Sequence, residues 1–493
     1  MACPPILQQT EAAARKPHRK TRRRATSDVL LSTVTTTNGG TPSAAWITDE
    51  SDGFNMKKVL ILGAGYTIKP MVDYFIDKCQ YEVVMATRTI SKAEAVIAGR
   101  SLGTAVSWLS DDLDALDQMV QAADIVIVMI PRSGHMDVAN LCLKHHTTMI
   151  TTDFKHAEIE TLDDEAKKQD VLILTELGED PGIDNMGLAQ VIDEIKAENG
   201  SITDITSYGA GLPSFEDNRN PLGYKFSWDP LGLMRSAVSP AKYIVNGQAI
   251  DANAKFEHRR IVDVDGIGTF ETYPSNDATR YLSIFGLGGN ISIYKGLLRF
   301  LGWSNTMIGF LKMELIENTR VVELANTTYA QFMARVVSVE STDTIRADVA
   351  HAMGIPANDD IIERMEWLGL FTDEQVTLEK GTNSEVLVDA MLKKMAYGAS
   401  EKDMIIVHNE ITAEFPDRTE TRISSMLVEG TPGGDTAMAG AVALPTAIAA
   451  RLILEGKIGG SGVTTPTTPE MYQPILEELS RMGFAFKRKT VVL

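Results

Sequence analysis

From residue 56 onward, short continuous apolar runs alternate with segments of helical periodicity. The first run, Val59-Leu60-Ile61-Leu62, has no polar face, which is the pattern of a strand buried on both sides. Similar runs recur at Val83-Val84-Met85-Ala86, at Ile125-Val126-Ile127-Val128, within Thr148–Thr152 and within Val171–Thr175. Between them, residues such as Met71, Tyr74 and Phe75 repeat at three and four positions, the spacing of one helix face. This alternation predicts a parallel, doubly wound Rossmann-type sheet whose ligand lies beyond the carboxyl ends of its strands. Farther along, residues 303–400 carry mostly helical periodicity (Ile308, Leu311, Leu315; Ile361, Ile362, Met365, Leu368). Ala441 to Leu454 reads as a long apolar helix, interrupted early by Pro445.

The first strand runs into Gly63-Ala64-Gly65-Tyr66-Thr67-Ile68-Lys69-Pro70. Gly63 permits a tight turn, and Gly65 lets the backbone approach a pyrophosphate beside Tyr66 and Thr67. Ile68 stands where a third glycine usually does, so the strand–loop–helix context carries the reading of a dinucleotide site. After the second strand there is no acid to hold a ribose 2′-hydroxyl; Thr87-Arg88-Thr89 follows, with Lys92 nearby. A cation flanked by hydroxyls suits a 2′-phosphate, so NADP is expected over NAD, the alternative being that Arg88 is an ordinary surface charge. The run ending at Ile130-Pro131 reaches the same edge, and His135 follows it as either a catalytic or a structural histidine.

Charge and composition narrow the function classes. The 493 residues include 47 basic and 66 acidic side chains, a net charge of −19, which opposes broad nucleic-acid or anionic-membrane binding. No apolar run approaches the roughly 20 residues of a membrane span. Three dispersed cysteines, Cys3, Cys79 and Cys142, argue against a disulfide scaffold and for a reducing compartment. No histidine or cysteine spacing marks a metal site, so no metal is expected. The charge is uneven: residues 1–48 hold seven Lys/Arg, twelve Ser/Thr and only Glu11 and Asp28 as acids. That segment reads as a solvated tail or a targeting peptide. The expected location is cytoplasmic, or mitochondrial if it is a transit peptide.

Three blocks carry a resemblance. Glu176-Leu177-Gly178-Glu179-Asp180-Pro181-Gly182-Ile183-Asp184-Asn185-Met186 resembles the ExGxDPGIDH/NM signature of saccharopine dehydrogenases. Ser207–Pro213, then Asn220-Pro221-Leu222-Gly223-Tyr224-Lys225-Phe226-Ser227-Trp228, is similar to the glutamate-forming branch. Tyr273–Asp277, Gly296–Phe300, Trp367–Phe371, Thr421–Ser425 and Met438–Pro445 resemble later blocks, so the likeness covers about residues 56–493. It implies an α/β protein: a Rossmann NADP-binding domain (56–180) after a tail (1–55), a mixed-sheet substrate and dimerisation domain (181–302), and a small helical domain (303–400). The chain would then return to the substrate domain (401–440) and complete the Rossmann domain with 441–493.

The implied activity is NADP-dependent interconversion of saccharopine with L-glutamate plus 2-aminoadipate 6-semialdehyde, by a homodimer. By resemblance, Asp180 is the catalytic candidate, at the junction of substrate and cofactor, with Pro181 and Gly182 on the cofactor. The other reading of Asp180-Pro181 is a cap for the following helix. Asp153, Phe154, Lys225, Asn276, Leu297, Leu298 and Arg299 are the implied substrate contacts. The chain departs from the family at Asp153-Phe154 (Ser-Tyr in members compared), Gly209 (Cys) and Asn276 (Arg), with Arg280 or Arg299 as replacements for that arginine. Two other functions stay open: a reductase of the same fold acting on another amine–aldehyde imine, such as a polyamine adduct, and a non-catalytic NADP-binding sensor.

Overall fold

The structure is a computed structural model, which describes residues 56–493; the expected tail and Cys3 lie outside the described residues. Six strands alternate with helices in its first part: β1 (Lys58–Leu62), β2 (Glu82–Thr87), β3 (Gly103–Ser107), β4 (Ile125–Val128), β5 (Thr148–Thr151) and β6 (Leu172–Leu174). The second part adds β7 (Ser201–Pro213), β8 (Lys242–Val245), β9 (Gln248–Asp251), β10 (Arg260–Val264), β11 (Gly268–Pro274) and β12 (Ser292–Arg299). The third contributes β13 (Val322–Glu323), β14 (Lys380–Gly381), β15 (Asp403–Glu414), β16 (Thr419–Glu429), β17 (Gly462–Thr464) and β18 (Lys487–Val492).

The first sheet has the order β17-β6-β5-β4-β1-β2-β3, and every pairing in it is parallel. β1 and β4 are wholly apolar at their centres because helices cover both faces of the sheet, leaving no polar side. The order reverses between β1 and β4, and this switch point opens the crevice at their carboxyl ends. β17 comes from the C-terminal segment and closes one edge of the sheet.

The second sheet is mixed. Its path β10-β11-β12-β7-β15-β16-β18 is antiparallel except for β12 against β7, and β8 and β9 flank it. β18 departs from the expected layout: after β17, the C-terminal segment does not stay with the nucleotide domain but returns to the mixed sheet beside β16. Its sequence, Lys-Arg-Lys-Thr-Val-Val, has no buried face, so periodicity gave no sign of a strand; it is an edge strand held by the ladder alone. Residues 303–400 form helices with the short β13–β14 ribbon.

The Ala437–Leu454 helix joins the two sheets, packing on the Lys69–Asp73 helix, β4 and β5 on one side and β15 on the other. With 18 residues and a mean hydropathy of 1.8 it is long and apolar enough to cross a bilayer, but 78% of it is buried inside the fold. Apolarity all round is what a helix enclosed by protein on all sides requires. Thr446, just after Pro445, donates its hydroxyl to Leu177 O at 2.7 Å, anchoring the loop that leads into Gly178-Glu179-Asp180.

Candidate active site

A cavity of about 720 Å³ lies where the carboxyl ends of the parallel sheet face β7, β11 and β12 of the mixed sheet. Gly65, Tyr66, Thr67, Ile130 and Pro131 line it from the nucleotide side. Gly63 lies beneath them with φ +115°, and a Cβ there would stand 2.6 Å from Met129 O, so the loops after β1 and β4 can meet this closely only at glycine. Gly65 has nothing within 4 Å of an added Cβ and presents open backbone. Ile68, in place of the third glycine, is core. Arg88 and Thr89 do not line the cavity; they are exposed just past β2. The ladder pairs Leu62 with Ala86, and Gly63 N–H donates to Ala86 O at 2.8 Å, so Arg88 stands beside the glycine loop. These residues fit a dinucleotide: open backbone for the pyrophosphate, and an exposed guanidinium one strand over.

The substrate side is built from buried charge. Asp180 and Pro181 line the cavity, and Asp180 lies 3.1 Å from Lys295 Nζ. Lys295 also pairs with Asp184 and donates to Asn185 Oδ1 at 3.2 Å, with both acids and the lysine at most 5% exposed in their side chains. Asn185 in turn donates to Glu176 Oε2 at 3.0 Å, and Glu176 is paired with Arg280. Asp180 does not cap the helix Ile183–Ala197, whose N-terminus has no side-chain cap; Asp184, in its first turn, accepts from Gly182 N–H at 2.7 Å, while Asp180 faces Lys295. Gly182 is buried at the turn and does not line the cavity; its φ of +153° and a Cβ position 1.9 Å from Gly178 O require glycine. The glycine at 209 has a local reason too, since a Cβ there would stand 2.7 Å from Asp180 Oδ2.

β12 explains the rest by its period of two. Lys295, Leu297 and Arg299 share one face, and Leu297 and Arg299 line the cavity. Leu298 points the other way into the second core and makes no wall of the cavity, a correction to the expected contact. Arg299 is 3% exposed, donates to Leu298 O at 2.7 Å, and lies 5.2 Å from the Tyr224 ring and 5.6 Å from Trp303. Among the described residues it has no carboxylate partner. Arg280 cannot serve in its place, being committed to Glu176. Asn276 lines the cavity with both amide atoms buried and without partners.

Two further expectations change. Lys225 lies outside the cavity, buried in a pair with Glu401, so its identity within a matching block reflects packing there. Asp153 lines the cavity but is no free charge: Arg132 Nε donates to its Oδ2 at 3.0 Å and NH2 to Oδ1 at 3.2 Å. Burial pushes this carboxyl up, but the Arg132 bonds outweigh burial and hold it below the usual range. Phe154 lines the wall beneath Arg280, its ring 5.2 Å from the guanidinium. His135 is buried with Nε2 3.0 Å from Ile130 O, and burial lowers its pKa, keeping the ring neutral. Lys295, Glu179 and Arg132 were not singled out from sequence. Lysine and arginine at positions i and i+4 of an otherwise apolar strand were the signal available for β12.

Comparison with known proteins covers the described chain. Residues 59–174 match the family model "Saccharopine dehydrogenase NADP binding domain", and residues 178–484 match "Saccharopine dehydrogenase C-terminal domain". The "Saccharopine dehydrogenase [NADP(+), L-glutamate-forming]" of Saccharomyces cerevisiae is 30% identical over 446 residues, covering 88% of this chain and 99% of that protein. The mitochondrial alpha-aminoadipic semialdehyde synthase of Bos taurus is 31% identical over 452 residues, and the chain spans about half of that protein's length, 48%. Among solved structures, the apo histidine-tagged saccharopine dehydrogenase (L-Glu forming) from Saccharomyces cerevisiae matches with TM-score 0.78 and 28% identity, over 88% of this chain and 100% of the other.

Proposed function

The chain belongs to the saccharopine dehydrogenase family, and on that premise we propose that it interconverts saccharopine with L-glutamate plus 2-aminoadipate 6-semialdehyde, using NADP. The observation that carries the reading is Arg299: a buried guanidinium without an acidic partner, opening on the same cavity as the glycine loop and Asp180. A group so placed favours a carboxylate from a ligand, because an unpaired buried charge is costly otherwise. Bound NADP would supply the hydride acceptor for the carbon beside the substrate nitrogen. The chain does the rest. Arg299 orients a substrate carboxylate, and Asp180, fixed by Lys295, faces the substrate amine. The Gly63–Thr67 loop holds the pyrophosphate and Arg88 meets the 2′-phosphate.

The test is saccharopine-dependent reduction of NADP+. Arg299→Lys should raise KM strongly and change kcat less, because an ammonium loses the paired bonds of the planar fork in ground and transition states alike. Unchanged constants would place the carboxylate site elsewhere.

Asn276 favours a second reading, another amine–aldehyde imine, because the amide carries no charge for a further carboxylate. Asn276→Arg distinguishes the two. It should tighten saccharopine, but weaken a polyamine-derived cation by placing like charges together. A homodimer is part of the proposal as well; β10 and β18 are the two edges of the mixed sheet, and sedimentation of the full chain measures the mass.

A further inference from the structure

Glu179 precedes Asp180 in the loop after β6 and lines the cavity, yet it is only 7% exposed and its Oε1 is buried without a hydrogen-bond partner. The charged groups facing it are Asp180 beside it in the chain and Lys295 and Arg299 from β12. Lys295 already holds Asp180 and Asp184, and among the described residues Glu179 makes no ion pair with Arg299 or any other cation. Of the other groups lining the cavity here, Phe154 supplies no exchangeable proton, Asp153 is bound to Arg132, Asp180 is paired with Lys295, and His135 is turned to Ile130 O. We propose that Glu179 is the group that carries the proton to and from the carbon–nitrogen bond handled in this cavity, an assignment that rests on the imine-forming reading above.

The sequence of bonds balances. Loss of hydride from the neutral secondary amine, which bound NADP would accept, leaves an iminium that keeps its N–H proton. Water oxygen bonds to that carbon, the C=N pair returns to nitrogen, and the Glu179 carboxylate takes a proton from the added water. The Glu179 carboxyl then gives that proton to nitrogen as the C–N bond breaks, and takes the hydroxyl proton as the C=O bond forms. One water is consumed, and Glu179 ends protonated, releasing the one net proton of the reaction to solvent. Burial, then the neighbouring Asp180 charge, pushes Glu179 up to about 8 against the pull of Lys295 and Arg299, which suits proton traffic near neutrality.

Two measurements on the full chain decide it. Infrared difference spectra between about pH 6 and about pH 10 should contain a protonated-carboxyl band that disappears in Glu179→Gln. In turnover with saccharopine, Glu179→Gln should lower kcat by about 100-fold, remove the pH-profile limb near 8, and leave NADPH affinity unchanged. Glu179→Asp should recover part of the rate. An infrared difference identical in wild type and variant overturns the proposal, as does a variant whose kcat profile superimposes on wild type. A wild type inactive on saccharopine, with the Glu179-dependent band intact, counts against that substrate and for the assignment of the proton to Glu179.

Discussion

The two sides of the cavity solve different problems. The nucleotide side offers backbone and apolar or hydroxyl side chains, Gly65, Tyr66, Thr67, Ile130 and Pro131, and leaves Arg88, the cation proposed for the 2′-phosphate, exposed at a strand end. The substrate side brings ionised side chains into the interior, where Lys295, Asp180, Asp184 and Arg299 are each almost completely enclosed. Backbone binding needs only a correct turn, so its cost is conformational and local. Buried charge is stable only while every partner stays in place. The same substitution chemistry should therefore act through affinity on one side and through folding on the other.

The largest effect should come from Lys295→Met. It strands Asp180 and Asp184 in the interior, and losing one partner of a buried ion network costs about 3–5 kcal/mol; chemical denaturation of the variant measures it. A small loss would mean that water reaches the network. Removing an exposed cation on the nucleotide side, as in Lys167→Ala, should leave the denaturation midpoint in place, since Lys167 pairs with Asp163 on the surface.

Next comes the pH dependence of stability. Glu179 binds its proton more tightly folded than unfolded, so the stability it contributes is complete at low pH and is lost as pH rises from the ordinary 4.5 to about 8. Glu179→Gln should flatten that decline, gaining up to a few kcal/mol on wild type between about pH 5 and 8. Parallel stability curves for the two proteins would show that Glu179 ionises in the fold as it does in water.

The smallest effect belongs to the nucleotide side. Arg88→Ala should weaken NADPH by about 1.5–3 kcal/mol, the worth of a charge-assisted hydrogen bond, and leave NADH nearly unchanged. Calorimetry with both cofactors checks this, and equal losses would remove Arg88 from the 2′-phosphate site. The melting temperature should not move, because the side chain is exposed.

The contrast also sets what the sequence makes legible. β4 is apolar from end to end and β1 is apolar after Lys58, so the parallel sheet and its glycine loop follow directly from hydropathy. β18 was unreadable because a polar edge strand takes its place from the ladder and not from a buried face. Asp180 stood out within its block, but its direction did not: a following helix offers the same residue a cap, and only the fold shows that helix without a side-chain cap and Asp180 turned to Lys295. Lys225 shows the limit of reading a block whole, since neighbours in one matching segment face different partners. Lys295 and Glu179 gain their meaning from residues more than a hundred positions apart meeting across β12, a relation no local pattern contains.

The central claim is that this cavity joins an amine and an aldehyde at the expense of NADPH. Mixing the full chain with NADPH, L-glutamate and 2-aminoadipate 6-semialdehyde, and following both cofactor absorbance and product mass, tests it directly. NADPH oxidation matched by formation of saccharopine is the expected result, with NADH much the poorer donor. NADPH that binds tightly but is not consumed, with no saccharopine formed, would contradict it.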